Sequence, residues 1–202
     1  MMSSRVDRVA DASEVLARAM VDEPFSRWLL PERDEFLEVH YDVFAELIRL
    51  AFDEGRVDTW GYPIVGVAVW LRRPAVVPGR RSVASLGGAT AFPAYAVERV
   101  ERLAAVLRDL RERARPDEHA YLDTIAVLPE SRRHGIATGL LDMGHAWADD
   151  EGLPCALETD TGRNVAFYAR RGYAVVAEQP LPGSGLTITS MRHDAEPRER
   201  RP

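Results

Sequence analysis

Val127-Leu-Pro-Glu-Ser-Arg-Arg-His-Gly-Ile-Ala137 is the stretch on which the reading of this chain turns. An almost continuous apolar run, His119 to Leu128, halts at Pro129, and Gly135 then introduces helical spacing from Ile136 to about Asp150. A helix that starts from such a turn leaves its first amides without partners, and these outward N–H groups favour anions. The backbone of Arg132, Arg133, His134, Gly135, Ile136, Ala137 and Thr138 is therefore a candidate phosphate cradle. Arg132 and Arg133 add charge and donors, and Gly135 removes the Cβ that would hold a pyrophosphate away from the main chain.

Downstream of this junction, Pro154 to Thr159 reads as a strand, Asn164 to Arg171 as a short helix, and Tyr173 to Glu178 and Leu186 to Met191 as strands. Two strands joined by a helix are predicted to run parallel through a right-handed crossover. The apolar run from His119 has the pattern of a strand covered on both faces. Upstream, Val97, Val100, Leu103, Ala104, Leu107 and Leu110 predict a helix ending before Pro116, with its Arg and Glu face in solvent. Arg72 to Tyr95 reads as a long connection. Arg56 to Trp60 and Pro63 to Leu71 predict an antiparallel hairpin around a Gly-Tyr-Pro turn. Phe36, Leu37, His40, Val43, Phe44, Leu47, Ile48 and Ala51 predict an amphipathic helix ending before Gly55. Pro24 and Pro31 bracket a turn-rich stretch. Ser13 is read as the N-cap of a helix running to about Val21, and Arg5 to Ala10 as a short strand. There is no internal repeat.

The chain has 202 residues and is 46% hydrophobic, which suits one domain over residues 1–193 followed by a flexible charged tail, 194–202. A net charge of -6 without a basic stripe argues against nucleic acid as a partner. One cysteine, Cys155, excludes an intrachain disulfide and a thiolate metal cage, fits a reducing compartment, and is read as core. The early charges Arg5, Asp7, Arg8, Asp11 and Glu14 replace the apolar run of a signal peptide, and the longest such run, Ile64 to Leu71, is too short to span a bilayer. A cytoplasmic protein with no membrane partner is expected. The five histidines, His40, His119, His134, His145 and His193, lack paired ligand spacing on one helix face, so no metal is expected.

These residues resemble the GNAT superfamily of N-acetyltransferases, in which Arg/Gln-x-x-Gly-x-Gly/Ala follows the central strand and binds the pyrophosphate of acetyl-CoA. Arg132, Gly135 and Ala137 match that motif, and Asn164, Phe167-Tyr168 and Gly172-Tyr173 match the family's later signature. Ala137 stands where a second glycine is commoner, and His134 where Gly or Lys is frequent. The resemblance follows element order from Arg5 to His193 and is sharpest from His119 onward. There Leu157-Glu-Thr, Arg163-Asn and Phe167-Tyr are similar to puromycin N-acetyltransferase and its relatives. The implied fold is α/β (α+β): a mixed, mostly antiparallel twisted sheet of about six to seven strands with a central parallel pair and helices on both faces.

The resemblance also implies acetyl-CoA as co-substrate. Its pantetheine arm would pair with the backbone of Ile125, Ala126 and Val127 as an added strand does, with Asn164 and Phe167 also at the cofactor. Asn164 is equally a candidate cap for its own helix. An acceptor amine would attack the thioester directly while both ligands are bound. Deprotonating an alkylamine with a pKa of about 10.4 at pH 7 costs about 4 to 5 kcal/mol, against about 1 for an α-amine near 7.7. Tyr168 is the candidate acid for the departing thiolate. Glu158, near the end of its strand, is the preferred base. Asp123, which interrupts an apolar strand and alternates onto the face of Tyr121 and Ile125, competes with it, and water relayed to either carboxylate is a third route. The expected acceptor is a small-molecule primary amine, such as an aminonucleoside antibiotic or a metabolite, in a pocket shaped by the Arg72 to Tyr95 connection with Trp28, Trp60 and Trp70. Acetylation of a protein or peptide, and a non-catalytic acyl-CoA sensor, are the alternatives. The chain is expected to act as a monomer or homodimer.

Overall fold

A computed structural model describes residues 5–74, 92–114 and 118–194. The expectations placed on the middle of the Arg72 to Tyr95 connection and on the tail beyond Asp194 lie outside the described residues. Helices α1 (Arg5–Met20), α2 (Pro24–Leu29) and α3 (Arg33–Glu54) precede strands β1 (Gly55–Trp60) and β2 (Gly66–Pro74). Helix α4 (Ala94–Ala114) leads to β3 (Glu118–Val127), a single 3-10 turn (Pro129–Ser131), α5 (Ile136–Glu151), β4 (Cys155–Thr159), α6 (Gly162–Ala169), β5 (Ala174–Leu181) and β6 (Leu186–His193).

The strands form one six-stranded sheet in the order β1-β2-β3-β4-β6-β5. Only β3 and β4 run parallel, as the helix between them requires. The remaining neighbours are antiparallel. One face of β2 and β3, with Val67, Val69, Leu71, Ala126 and Leu128, packs on α1 and α3. The opposite face, with Ala68, Trp70, Ala120 and Leu122, packs on Leu140, Leu141 and Ala148 of α5. Val106 and Leu110 of α4 cover Leu181 and Ile188 at the β5–β6 end.

The first segment corrects the sequence reading. Arg5 to Ala10 is the opening of α1 and not a strand, and Ser13 lies inside that helix. Val9, Ala12, Val15, Leu16 and Ala19 recur every three or four residues and form one buried stripe towards α3, a period that a six-residue window cannot display. Ser13 is fully buried and its hydroxyl donates to the Val9 carbonyl at 2.7 Å, the back-bond available to a serine in a helix interior. Between the prolines the chain forms α2, with Pro24 in its first turn, where the missing N–H is harmless.

Helix α5 sits close to the sheet because Gly144 faces Trp70. A Cβ at Gly144 would overlap the indole, which is completely buried. Gly144→Ala is therefore expected to destabilise the protein by about 1–3 kcal/mol through overpacking, although alanine is the better helix former; urea unfolding followed by tryptophan fluorescence measures this.

His40 of α3 is buried, stacked on Phe36 with ring centroids 3.8 Å apart and edged by Phe92. Burial pushes its imidazole down from 6.5 to about 4, against a smaller opposing effect of the Phe36 backbone. The unfolded chain then binds more protons than the folded one between these values. The stabilisation is complete above about pH 6.5 and is lost as pH falls towards 4, amounting to about 3 kcal/mol in full. Thermal melts should show this decline in the wild type and a shallower one in His40→Leu. His145, also held down to about 4 mainly by burial, accounts for part of what remains.

Candidate active site

The parallel pair is short. β3 and β4 are matched only at Ala120 with Cys155, Tyr121 with Ala156 and Leu122 with Leu157. Beyond Leu122 the register of β3 against β2 slips: Trp70 faces Leu122 and Val69 faces Thr124, so Asp123 is an extra residue in a bulge. A bulge bends its strand and increases the local twist. It also breaks the alternation expected of Tyr121, Asp123 and Ile125. Tyr121 faces Arg111 of α4, whereas Ile125 joins Leu122 in the core beneath α5. Thr124 points the other way and its hydroxyl reaches Met20 Sδ of α1 at 3.3 Å.

Where β3 and β4 part, a cleft of about 830 Å³ opens. Ile125, Ala126 and Val127 line it on one side, and Glu158, Thr159 and Asp160 on the other. The α5 N-terminus, with Gly135, Ile136, Ala137 and Thr138, closes one end of it together with Arg132 and Arg133. His134 is exposed and does not line it, its Nδ1 resting 3.3 Å from the Ser131 carbonyl.

The junction turns through two left-handed residues, Arg133 (φ 70) and Gly135 (φ 78), so the chain reverses sharply before the helix begins. Beyond its own chain neighbours, a Cβ built on Gly135 would meet no described atom within 4 Å. The left-handed backbone is thus what favours glycine there, and the open space above it is where an anion can approach. Arg132 lines the cleft and is also bonded to protein. Its Nε donates to the Val127 carbonyl at 3.1 Å and its Nη2 to the Ala19 carbonyl at 2.8 Å, with Glu23 at 3.3 Å, so it ties the loop to the end of α1. Thr138 accepts a hydrogen bond from Arg171, whose guanidinium lies 3.8 Å over the Phe167 ring and donates to the Phe167 carbonyl.

Asn164 and Phe167 both line the cleft. The helix cap, however, is Thr161, whose hydroxyl accepts from the Asn164 backbone N–H at 3.2 Å. Threonine in extended backbone is a good N-cap, and Asn164 lies within the first turn, so its expected capping role is corrected.

Tyr121 donates to Glu158 Oε2 at 2.7 Å, and the Ser190 hydroxyl stands 3.5 Å from Oε1. The carboxylate is therefore held by neighbours on β3 and β6 at the point where the strands separate. Tyr168 is 7% exposed, packs edge-on to Phe167 and Tyr173, and borders the cleft. Burial raises its pKa well above that of an ordinary phenol, more than the Arg171 charge lowers it, so the hydroxyl keeps its proton. Asp123 is half-buried and also borders the cleft.

Several lining residues escaped the sequence reading. Arg111 belongs to the charged helix face expected in solvent, yet α4 turns it inward against Tyr121. Burial opposes its charge, but Tyr121, Glu158 and Asp123 together raise its pKa. Asp160, whose pKa burial raises, presents an Oδ2 with no hydrogen-bond partner among the described residues. Its place just past the end of β4 was the only available signal. Phe25, Leu103, Leu107 and Ile188 supply an apolar wall. The tryptophans do not take part as expected. Trp70 is sealed under α5, Trp60 covers Gly139, and Trp28 donates its indole N–H to the Gly183 carbonyl at 3.1 Å. None lines the cleft.

Solved structures with this arrangement include a mosquito arylalkylamine N-acetyltransferase-like protein 5b, with a TM-score of 0.68 at 14% identity over 94% of this chain and 96% of that one. Arylalkylamine N-acetyltransferase 2 of Aedes aegypti also gives 0.68, at 12% identity over 96% and 98% of the two chains. A Corynebacterium glutamicum protein described as histone acetyltransferase HPA2 and related acetyltransferase gives 0.59, at 19% identity over 98% and 97%. At these identities the likeness is one of fold. The model of the acetyltransferase (GNAT) family matches residues 18–173, which include the parallel pair, the Gly135 junction and the Tyr168 helix. The chain belongs to the GNAT family of acetyltransferases.

Proposed function

We propose that this acetyltransferase transfers the acetyl group of acetyl-CoA to the primary amine of a small molecule with an apolar body. The observation that carries the reading is the placing of a held carboxylate, Glu158, and a protonated phenol, Tyr168, on one cleft with an anion-accepting helix start. The cofactor fits this chain's residues. Gly135 leaves open space at the helix N-terminus, and Ile125 to Val127 is an edge that β4 does not pair. The amides of Gly135 to Thr138 would take the pyrophosphate with Arg133, and the edge would take the pantetheine amides. Asn164 and Phe167 would flank the same ligand.

Glu158 accepts the amine proton, directly or through water, and Tyr121 and Ser190 keep its oxygens aimed. Asp123 and Asp160 stand as further carboxylates on the same cleft. The amine nitrogen bonds to the acetyl carbon, the carbon–sulfur bond breaks, and Tyr168 gives its proton to the leaving thiolate. The apolar wall of Phe25, Leu103, Leu107 and Ile188 beside these acids favours a cationic amine carried on an apolar or aromatic frame. The similarity of Leu157-Glu-Thr and Arg163-Asn to puromycin N-acetyltransferase supports testing aminonucleosides among the first acceptors.

Thiol release measured across aminonucleosides, arylalkylamines, aminoglycosides, polyamines and peptides is expected to favour the first two. Preference for peptides would replace the small-molecule reading, and acetyl-CoA binding without turnover of any amine would indicate a sensor. Tyr168→Phe should lower kcat by about 10²-fold with little change in acetyl-CoA affinity; an unchanged rate would mean that solvent or another group protonates the thiolate. Gly135→Val forces a β-branched residue into a left-handed position at the anion site and should weaken acetyl-CoA binding about tenfold or more by calorimetry. Unaltered affinity would remove the phosphate assignment.

A further inference from the structure

A second cluster of reactive side chains lies at the other end of β4 from Glu158. Cys155, the first residue of β4, is paired in register with His193 on β6, and His145 of α5 stacks on His193 with ring centroids 4.7 Å apart. One ligand atom from each of His145, Cys155 and His193 lies within 4.8 Å of the others. None of the three lines the cleft. We infer that His145, Cys155 and His193 form a binding site for a thiophilic divalent cation of the zinc type, separate from acetyl transfer.

The donor set is the kind that zinc takes: two imidazoles and a thiolate, with a fourth position open. Tetrahedral bonds of about 2.0–2.3 Å place ligand atoms roughly 3.3–3.6 Å apart, so side-chain rotations of about 1 Å bring these three onto one ion. The Tyr173 hydroxyl lies 3.0 Å from His145 Nε2, so a further oxygen borders the cluster. The two histidines are partly exposed while Cys155 is buried, so an ion would approach from the histidine side. Asp142 and Asp149 stand three residues before and four after His145 on its helix and act on it electrostatically, Asp149 on Cys155 as well. Arg171 and His193 oppose them at His145. Burial keeps the His145 imidazole neutral, as a ligand must be, and pushes the thiol up to about 12, a cost that a bound cation reverses. Binding exchanges the Cys155 S–H proton for the metal and releases that proton to solvent. Helix-face spacing among the histidines gives no sign of such a site, because its ligands come from a helix and two strands.

Cobalt(II) titration of the chelator-treated protein tests the site without reference to activity. Cys155 is the one cysteine of the chain, so any thiolate-to-cobalt charge-transfer band reports on it alone. The expected result is that band, tetrahedral visible absorption at one equivalent, displacement by zinc, and a zinc-dependent rise in Tm. Cys155→Ser should abolish the band, and His145→Gln and His193→Gln should each weaken binding at least about tenfold. Absence of the band in the wild type, or a band whose affinity neither histidine variant changes, overturns the site. Should the variants fail to fold, a wild-type Tm that zinc does not raise overturns it equally.

Discussion

Everything specific in this molecule depends on two parallel strands that pair for three residues and then separate. β2 holds β3 along its whole length, and β6 holds β4 from Cys155 to Thr159. Each strand is therefore anchored on its outer side, and neither can swing across to close the gap. The bulge at Asp123 adds twist where the pairing stops. A sheet interrupted in its middle exposes backbone groups that a continuous sheet would satisfy, and a ligand with strand-like amides can take their place.

The surrounding helices turn this gap into a chemically differentiated cleft. Contact between Gly144 and Trp70 seats α5 on the sheet, and so sets where its N-terminus meets the gap. Arg132 binds the loop before that helix to the last turn of α1, and Arg171 joins Thr138 to α6. The helix start at Gly135 is thus braced by guanidinium groups that bond to protein. At the other end, α2 and α4 contribute apolar side chains, while Arg111 crowds Tyr121 beneath Glu158. Glu158 and Tyr168 sit in different environments on this cleft. Glu158 is held in place by the Tyr121 and Ser190 hydroxyls, and Tyr168 is buried so that its neutral form prevails.

Much of the frame was legible in the residues. The three-four spacing of Phe36 to Ala51, the two-sided apolar run of β3 and the Pro129 to Gly135 junction each encode one element with little competition, because burial on a fixed face leaves few alternatives. The start of α1 was not legible. Its buried stripe runs from Val9 to Ala19, and Ser13, a frequent cap, sits instead in the helix interior and bonds back to Val9. The cap of α6 fell to Thr161 for a similar reason, since the neighbouring Asn164 is as good a candidate on chemistry alone.

By itself the sequence determined most of the elements from α3 onward, the helix start behind Gly135, and the residue types, Glu158 and Tyr168, on which the proposed transfer rests. Tertiary structure decided which of them meet. The slipped register at Asp123 divides Tyr121 from Ile125, the packing of α4 turns Arg111 inward, and the tryptophans go to the core, a loop contact and a glycine on α5. It also gathers His145, Cys155 and His193 from three elements. The physical reason is common to all of these. Periodicity records which face a residue occupies on its own element, whereas a site forms where faces of several elements converge, and that depends on register and on the fit of one helix against one sheet.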